Sequence, residues 1–148
     1  MKNRILYLLP FALLLGGCFK SANDTPPTPI PNGTFTGTFR LLHRPNTSVV
    51  FDTLKANITL TMNSSNFTYA VTGDTATVHA GSKGVWGLSG NYAIFTDQTF
   101  PKTGVPTKTH LNGGYVYYYD GSIFQMIAEG AADTLSLQYD LKKSSTTN

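Results

Sequence analysis

From Gly33 onward, apolar and polar residues alternate with a period of two, and no helical period persists over the ten or so positions a helix needs. In the first segment Phe35, Phe39 and Leu41 share one face, with Thr34, Thr36, Thr38 and Arg40 on the other. Such alternation defines a half-buried strand. A second strand is predicted from about Val49 to Met62, where Leu54, Ala56, Ile58, Leu60 and Met62 alternate with Thr53, Lys55, Asn57, Thr59 and Thr61. A turn at Asn63-Ser64-Ser65 leads to Phe67, Tyr69 and Val71, a third strand in hairpin order. The stretch from Thr75 to Gly84 predicts only a short or irregular strand, because Gly81 and Gly84 interrupt its alternation.

Two strands flank Ser89-Gly90-Asn91, with Trp86 and Leu88 sharing a face before it, and Tyr92 and Ile94 after it. The span from Gln98 to Thr109 reads as the longest loop. Two further strands are joined at Asp120-Gly121, a pair that signals a hairpin with positive φ at both positions. The last strand, from Thr134 to Leu141, sets Leu135, Leu137, Tyr139 and Leu141 against Ser136, Gln138 and Asp140. The expected fold is all-β, about eight antiparallel strands in an up-and-down barrel, because closure removes exposed strand edges. A two-sheet β-sandwich is the alternative.

An eight-stranded barrel has an interior that side chains can fill or that holds one small ligand. The candidate lumen residues are Phe35, Phe39, Leu54, Ile58, Tyr69, Trp86, Tyr115, Tyr117 and Tyr119, with Leu60, Ile94 and Leu137 as further bulky inward positions. Tyr115, Tyr117 and Tyr119 share a face by parity, and Val116 and Tyr118 share the other. The tyrosine row suits either cross-strand packing or a ligand wall, since each ring carries a hydroxyl that needs a partner.

The N-terminus breaks this pattern. Residues 1–17 have a basic start (Lys2, Arg4), an apolar run from Ile5 to Leu15 and two glycines, the layout of a cleaved signal peptide. The apolar run is too short for the roughly 20 residues of a spanning helix. Residues 18–32 contain Pro26, Pro27, Pro29 and Pro31 and read as a semi-rigid tether. Residues 33–142 then form one domain, and 143–148 a flexible tail. The formal charge of +3 falls to +1 without Lys2 and Arg4, leaving nine basic and eight acidic residues. With 13% charged residues and no basic run, nucleic-acid binding is not expected.

Candidate chemistry is sparse. His43, His79 and His110 have no metal-ligand spacing and are expected at the surface or rim, so neither a metal nor a cofactor is anticipated. Asp52, Asp74, Asp97, Asp120, Glu129, Asp133 and Asp140 are expected mostly at turns or on polar strand faces. No Gly-x-Ser-x-Gly elbow or phosphate-binding glycine loop occurs. The chain is therefore read as not an enzyme.

Three resemblances complete the reading. Leu15-Gly16-Gly17-Cys18 resembles a bacterial lipobox, which implies lipid attachment at Cys18, the chain's single cysteine. Two or more acyl chains would give stable anchoring. The implied location is the bacterial cell envelope, at the outer membrane. Asp52-Thr53-Leu54, Asp74-Thr75-Ala76 and Asp133-Thr134-Leu135 resemble Asp-Thr-apolar O-glycosylation sites, with Thr53, Thr75 and Thr134 as acceptors. The segments "GTFTGTF", "GVWGLSGNYAIFTD", "LNGGYVYYYDGSIF" and "LSLQYDLKK" resemble the lipocalin-like lipoprotein domains of Gram-negative bacteria, with Phe35 or Phe39 where lipocalins carry tryptophan.

The resemblance implies a small barrel, and the expected function is non-catalytic binding of a small apolar or amphipathic ligand by a membrane-anchored lipoprotein. The alternative is a structural or assembly lipoprotein that docks an envelope protein or a glycan.

Overall fold

The computed structural model describes residues 29–44, 52–130 and 135–144. Eight strands follow in order: β1 (Gly33–His43), β2 (Asp52–Asn63), β3 (Thr68–Gly73), β4 (Ser82–Ser89), β5 (Tyr92–Asp97), β6 (Gly113–Tyr119), β7 (Ile123–Glu129) and β8 (Leu135–Lys143). Each pairs with the next in antiparallel order, and β1 also pairs with β8. The sheet is a closed up-and-down barrel, which excludes the sandwich. No helix among the described residues is long and apolar enough to cross a membrane.

Closure depends on a glycine. Gly37 sits opposite Leu141 in the β1–β8 pairing, where a Cβ would lie 2.0 Å from the Asp140 carbonyl oxygen. Only a residue without a side chain lets the first and last strands approach this closely. The same need is met between β4 and β5, where a Cβ on Gly84 would lie 2.0 Å from the Thr96 carbonyl oxygen.

The barrel's two ends differ. Residues 64–67, 90–91 and 120–122 make short turns at the end where the chain enters at Gly33, whereas residues 74–81 and 98–112 form long loops at the other. Those loops join through a single parallel bridge, His79 with Thr109. Ala80 N–H donates to the Thr109 carbonyl at 2.8 Å, and Thr109 N–H donates to the Val78 carbonyl at 2.9 Å. The irregular segment after Thr75 is thus one strap of a cap. At the other end, the pairing of Tyr119 with Phe124 leaves Gly121-Ser122 at the hairpin tip. Positive φ is confined there to Gly121, not shared with Asp120 as the dipeptide suggested. Asp120 instead accepts hydrogen bonds from the Ser122 and Ile123 amides, which stabilises the turn from its side chain.

The inward rows form one core: Phe35 and Phe39 from β1, Ala56 through Met62 from β2, Tyr69 and Val71 from β3, and Trp86 from β4. Ala93 and Phe95, Tyr115 and Tyr119, Phe124 and Met126, and Tyr139 and Leu141 complete it from the other strands. On β5 the sequence assigned the wrong row, for Ile94 and Tyr92 stand outside at 45% and 47% exposure. Both rows of that strand are apolar, so alternation alone could not orient it.

Candidate functional site

The lumen is occupied by its own aromatic side chains. Rings from five strands form a chain across it: Phe39 to Tyr139 (4.9 Å between centroids), Tyr139 to Tyr115 (5.5 Å), Tyr115 to Phe95 (6.0 Å) and Phe95 to Tyr69 (5.1 Å). A second layer nearer the turn end joins Phe35 to Phe124 at 5.5 Å and to Tyr119 at 5.8 Å. Tilted and edge-to-face packing of this kind adds about 0.5–1.5 kcal/mol per pair beyond area burial. Ile58 is buried within the same core. Trp86 plugs the wall beside Phe67, and its indole N–H donates to the Thr68 carbonyl at 3.1 Å. Tyr117 is half-buried against Phe124.

Leu54 departs from the expected lumen wall. It has the inward parity of β2 but lies at the loop end, 53% exposed, beside Leu41 and His43 in a shallow surface depression. Alternation gives the row, but not how far the closed lumen extends along it.

The loop end contains polar groups expected at the surface or rim, or on polar strand faces. His79 is fully buried, and its ring packs 4.8 Å from that of Phe39. Its Nδ1 lies 2.6 Å from the Ala80 carbonyl and its Nε2 lies 2.9 Å from the Tyr139 hydroxyl. A carbonyl only accepts, so Nδ1 carries the proton and Nε2 accepts from Tyr139. Burial lowers the imidazole pKa to about 4, despite the opposing bond to Ala80. Tyr69 donates to the Leu111 carbonyl at 2.6 Å and Tyr115 to the Asn112 carbonyl at 3.3 Å, so the cap loops satisfy the lumen's phenols. Burial pushes both phenols above their ordinary value.

Asp97 is the hub of the longer cap loop rather than a residue on a polar face. It is buried at the end of β5, where its Oδ1 accepts from the Thr99 amide at 2.7 Å and the Thr99 hydroxyl at 2.6 Å. Its Oδ2 lies 2.6 Å from His110 Nδ1, and its own amide donates to Asn112 Oδ1 at 3.0 Å. Burial raises the carboxyl's pKa, but the bonds from Thr99 and His110 outweigh it and hold the group below its usual value. The arrangement stitches residues 97, 99, 110 and 112 together. Among the described residues no group of three or more His, Cys, Asp or Glu side chains could hold a metal ion.

The accessible concave surface lies on the outside of the barrel. Pairing registers align one outward row, Tyr118 with Gln125 with Asp140, and a second, Val116 with Ile127 with Gln138 with Arg40. A groove of about 290 Å³ runs between the rows. A neighbouring groove of about 390 Å³ shares Val116 and Ile127 with it and reaches Tyr92, Gly114 and Ala128. The two meet at Val116 and Ile127, where the β6–β7 ladder ends, and Gly114 contributes no side chain to the second. Tyr118 is 56% exposed.

The polar side of this trough is organised in advance. Asp140 Oδ1 accepts from Gln125 Nε2 at 2.9 Å, while Oδ2 pairs with the Arg40 guanidinium. Both carboxylate oxygens are thereby fixed. Sequence parity had marked Tyr118 as outward. It could not show that Gln125, Gln138, Asp140 and Arg40, from three strands, lie beside it.

Of the other expected sites, Thr53 is exposed on β2, whereas Thr75 is half-buried and its carbonyl accepts from Lys108 Nζ at 2.7 Å. Cys18 and Thr134 lie outside the described residues. No family model, curated protein or solved structure matches the chain.

Proposed function

We propose that this protein is a lipid-anchored lipoprotein of the bacterial outer membrane, held through Cys18, whose lipocalin-like barrel is a non-catalytic docking module rather than a ligand carrier. The observation that carries this reading is the contrast between a lumen filled by Phe39, Tyr139, Tyr115, Phe95 and Tyr69 and a trough on the outer face of β5–β8. Binding a small apolar ligand inside would require displacing several packed rings, each contributing about 1.5–3 kcal/mol by burial. Exposed aromatic surface on an otherwise threonine-rich barrel marks an interaction site.

Two measurements test the reading on the full chain in detergent. Titration with a fatty acid and with a hydrophobic dye is expected to give no saturable binding, and stoichiometric binding weakened by substitutions at Phe95 or Tyr115 would restore the carrier. A photo-crosslinking residue in place of Tyr118 is expected to capture an envelope component in cells, while the same residue in place of Thr59, on the opposite outer face, captures none. Equal labelling from both positions would remove the docking site.

A further inference from the structure

We infer that the occupant of the outer trough is a neutral, β-linked oligosaccharide; this rests on the docking reading and names its ligand. A sugar ring of that kind presents an apolar C–H face and an equatorial rim of hydroxyls that both donate and accept. The trough offers the matching pair of surfaces. On the β5–β6 side stand Tyr92, Val116 and Tyr118, with the Tyr118 ring more than half exposed. On the β7–β8 side stand Gln125, Gln138 and Asp140, with Ile127 beside Gln138 and Ala128 farther along. Amide and carboxylate groups are planar and address two neighbouring hydroxyls at once, as they do in other polar recognition.

Charge and shape narrow the class. The single carboxylate in the lining is neutralised by Arg40, so the trough has no net charge with which to select an acidic or basic polymer. Bonds to Gln125 and Arg40 hold the carboxylate in one orientation before any ligand arrives. Preorganisation reduces the ordering cost of binding. A protein partner would favour a trough apolar on both sides, since charged residues are depleted at the centre of such interfaces. A bilayer would favour unpaired cations instead. Tyr118 and Gly114 are four residues apart on β6, or roughly 14 Å at the rise of a strand, a length suited to a di- or trisaccharide. Gly114 keeps the far end open, because any side chain there would stand in the channel.

The test is a titration of the full chain in detergent with cellotetraose and with chitotetraose, read by saturation-transfer NMR and tyrosine fluorescence. At least one is expected to bind with a Kd near about 1 mM or below, and the affinity is expected to be unchanged by added salt. Tyr118→Ala is expected to weaken binding by about tenfold, equivalent to about 1.4 kcal/mol. Gln138→Leu is expected to weaken it severalfold, and Thr59→Ala to leave it unchanged. Circular dichroism on each variant checks that the barrel persists. Binding that survives Tyr118→Ala in a folded barrel would overturn the assignment to this trough.

If neither sugar binds while the Tyr118 crosslinker captures a protein in cells, the saccharide inference falls and the docking reading stands. If neither sugar binds and crosslinking does not distinguish Tyr118 from Thr59, both fall.

Discussion

Two clusters in this barrel use the same kinds of side chain for opposite ends. At the loop end Asp97, His79 and Tyr139 are buried, with His110 partly buried beside them, and they spend their hydrogen bonds on one another and on the cap loops. On the outer face Asp140, Gln125, Arg40 and Tyr118 are fixed just as firmly at the carboxylate, yet leave a ring face and amide groups toward solvent. A satisfied buried network specifies structure, whereas a partly satisfied exposed one retains capacity for a ligand. Residue type alone would not separate the two.

The sharpest way to break this comparison is Asp97→Ala. The loss strands the Thr99 amide and hydroxyl and His110, and is expected to lower stability by about 3 kcal/mol. Thermal unfolding measures it, with the trough's ligand still bound by the folded fraction. Gly37→Ala follows, with an expected loss of about 2–3 kcal/mol. Because its Cβ would press on the Asp140 carbonyl, it should also weaken docking, linking the barrel seam to the trough. A stable Gly37→Ala variant with normal docking would show that the two are uncoupled.

Acid distinguishes the clusters next. The His79 pKa falls to about 4 from the usual 6.5, so as pH drops the unfolded chain binds the proton first. Its contribution is complete above pH 6.5 and is lost between 6.5 and 4, by up to about 1.4 kcal/mol per pH unit. Asp97 is held below the usual 3.8, so its own contribution disappears only at lower pH. Denaturant midpoints measured across that window should slope for the native chain and flatten in His79→Gln. A native chain with no slope would mean that His79 is not held neutral inside. The smallest stability effect is expected at the trough. Tyr118→Ala should change stability by no more than about 0.5 kcal/mol and Arg40→Ala by no more than about 1 kcal/mol, while binding at the trough weakens by about tenfold in the first.

Much of the fold was legible because most strands have one polar and one apolar row. Thr34, Thr36 and Thr38 opposite Phe35 and Phe39 leave no doubt about which row of β1 faces inward, and Thr53 through Thr61 do the same for β2. β5 was not legible, since Tyr92 and Ile94 compete with Ala93 and Phe95. Tyr92 of that outer row lines the neighbouring groove, and Ile94 beside it is exposed. His79 and Asp97 were hidden for another reason. Burying them is tolerable only because local partners, Ala80 and Thr99, are completed by Tyr139 and His110 from other parts of the chain.

The sequence by itself determined an all-β domain, the number of strands and their sequential order, because a period of two and the turn residues between strands are local properties. Only the tertiary structure decided that the lumen is plugged, that two loops cap it around His79 and Asp97, and that Tyr118 meets Gln125, Gln138 and Asp140 outside. Those outcomes depend on register and closure, which are fixed by pairings as distant as Gly37 with Leu141, and no window along the chain contains both partners.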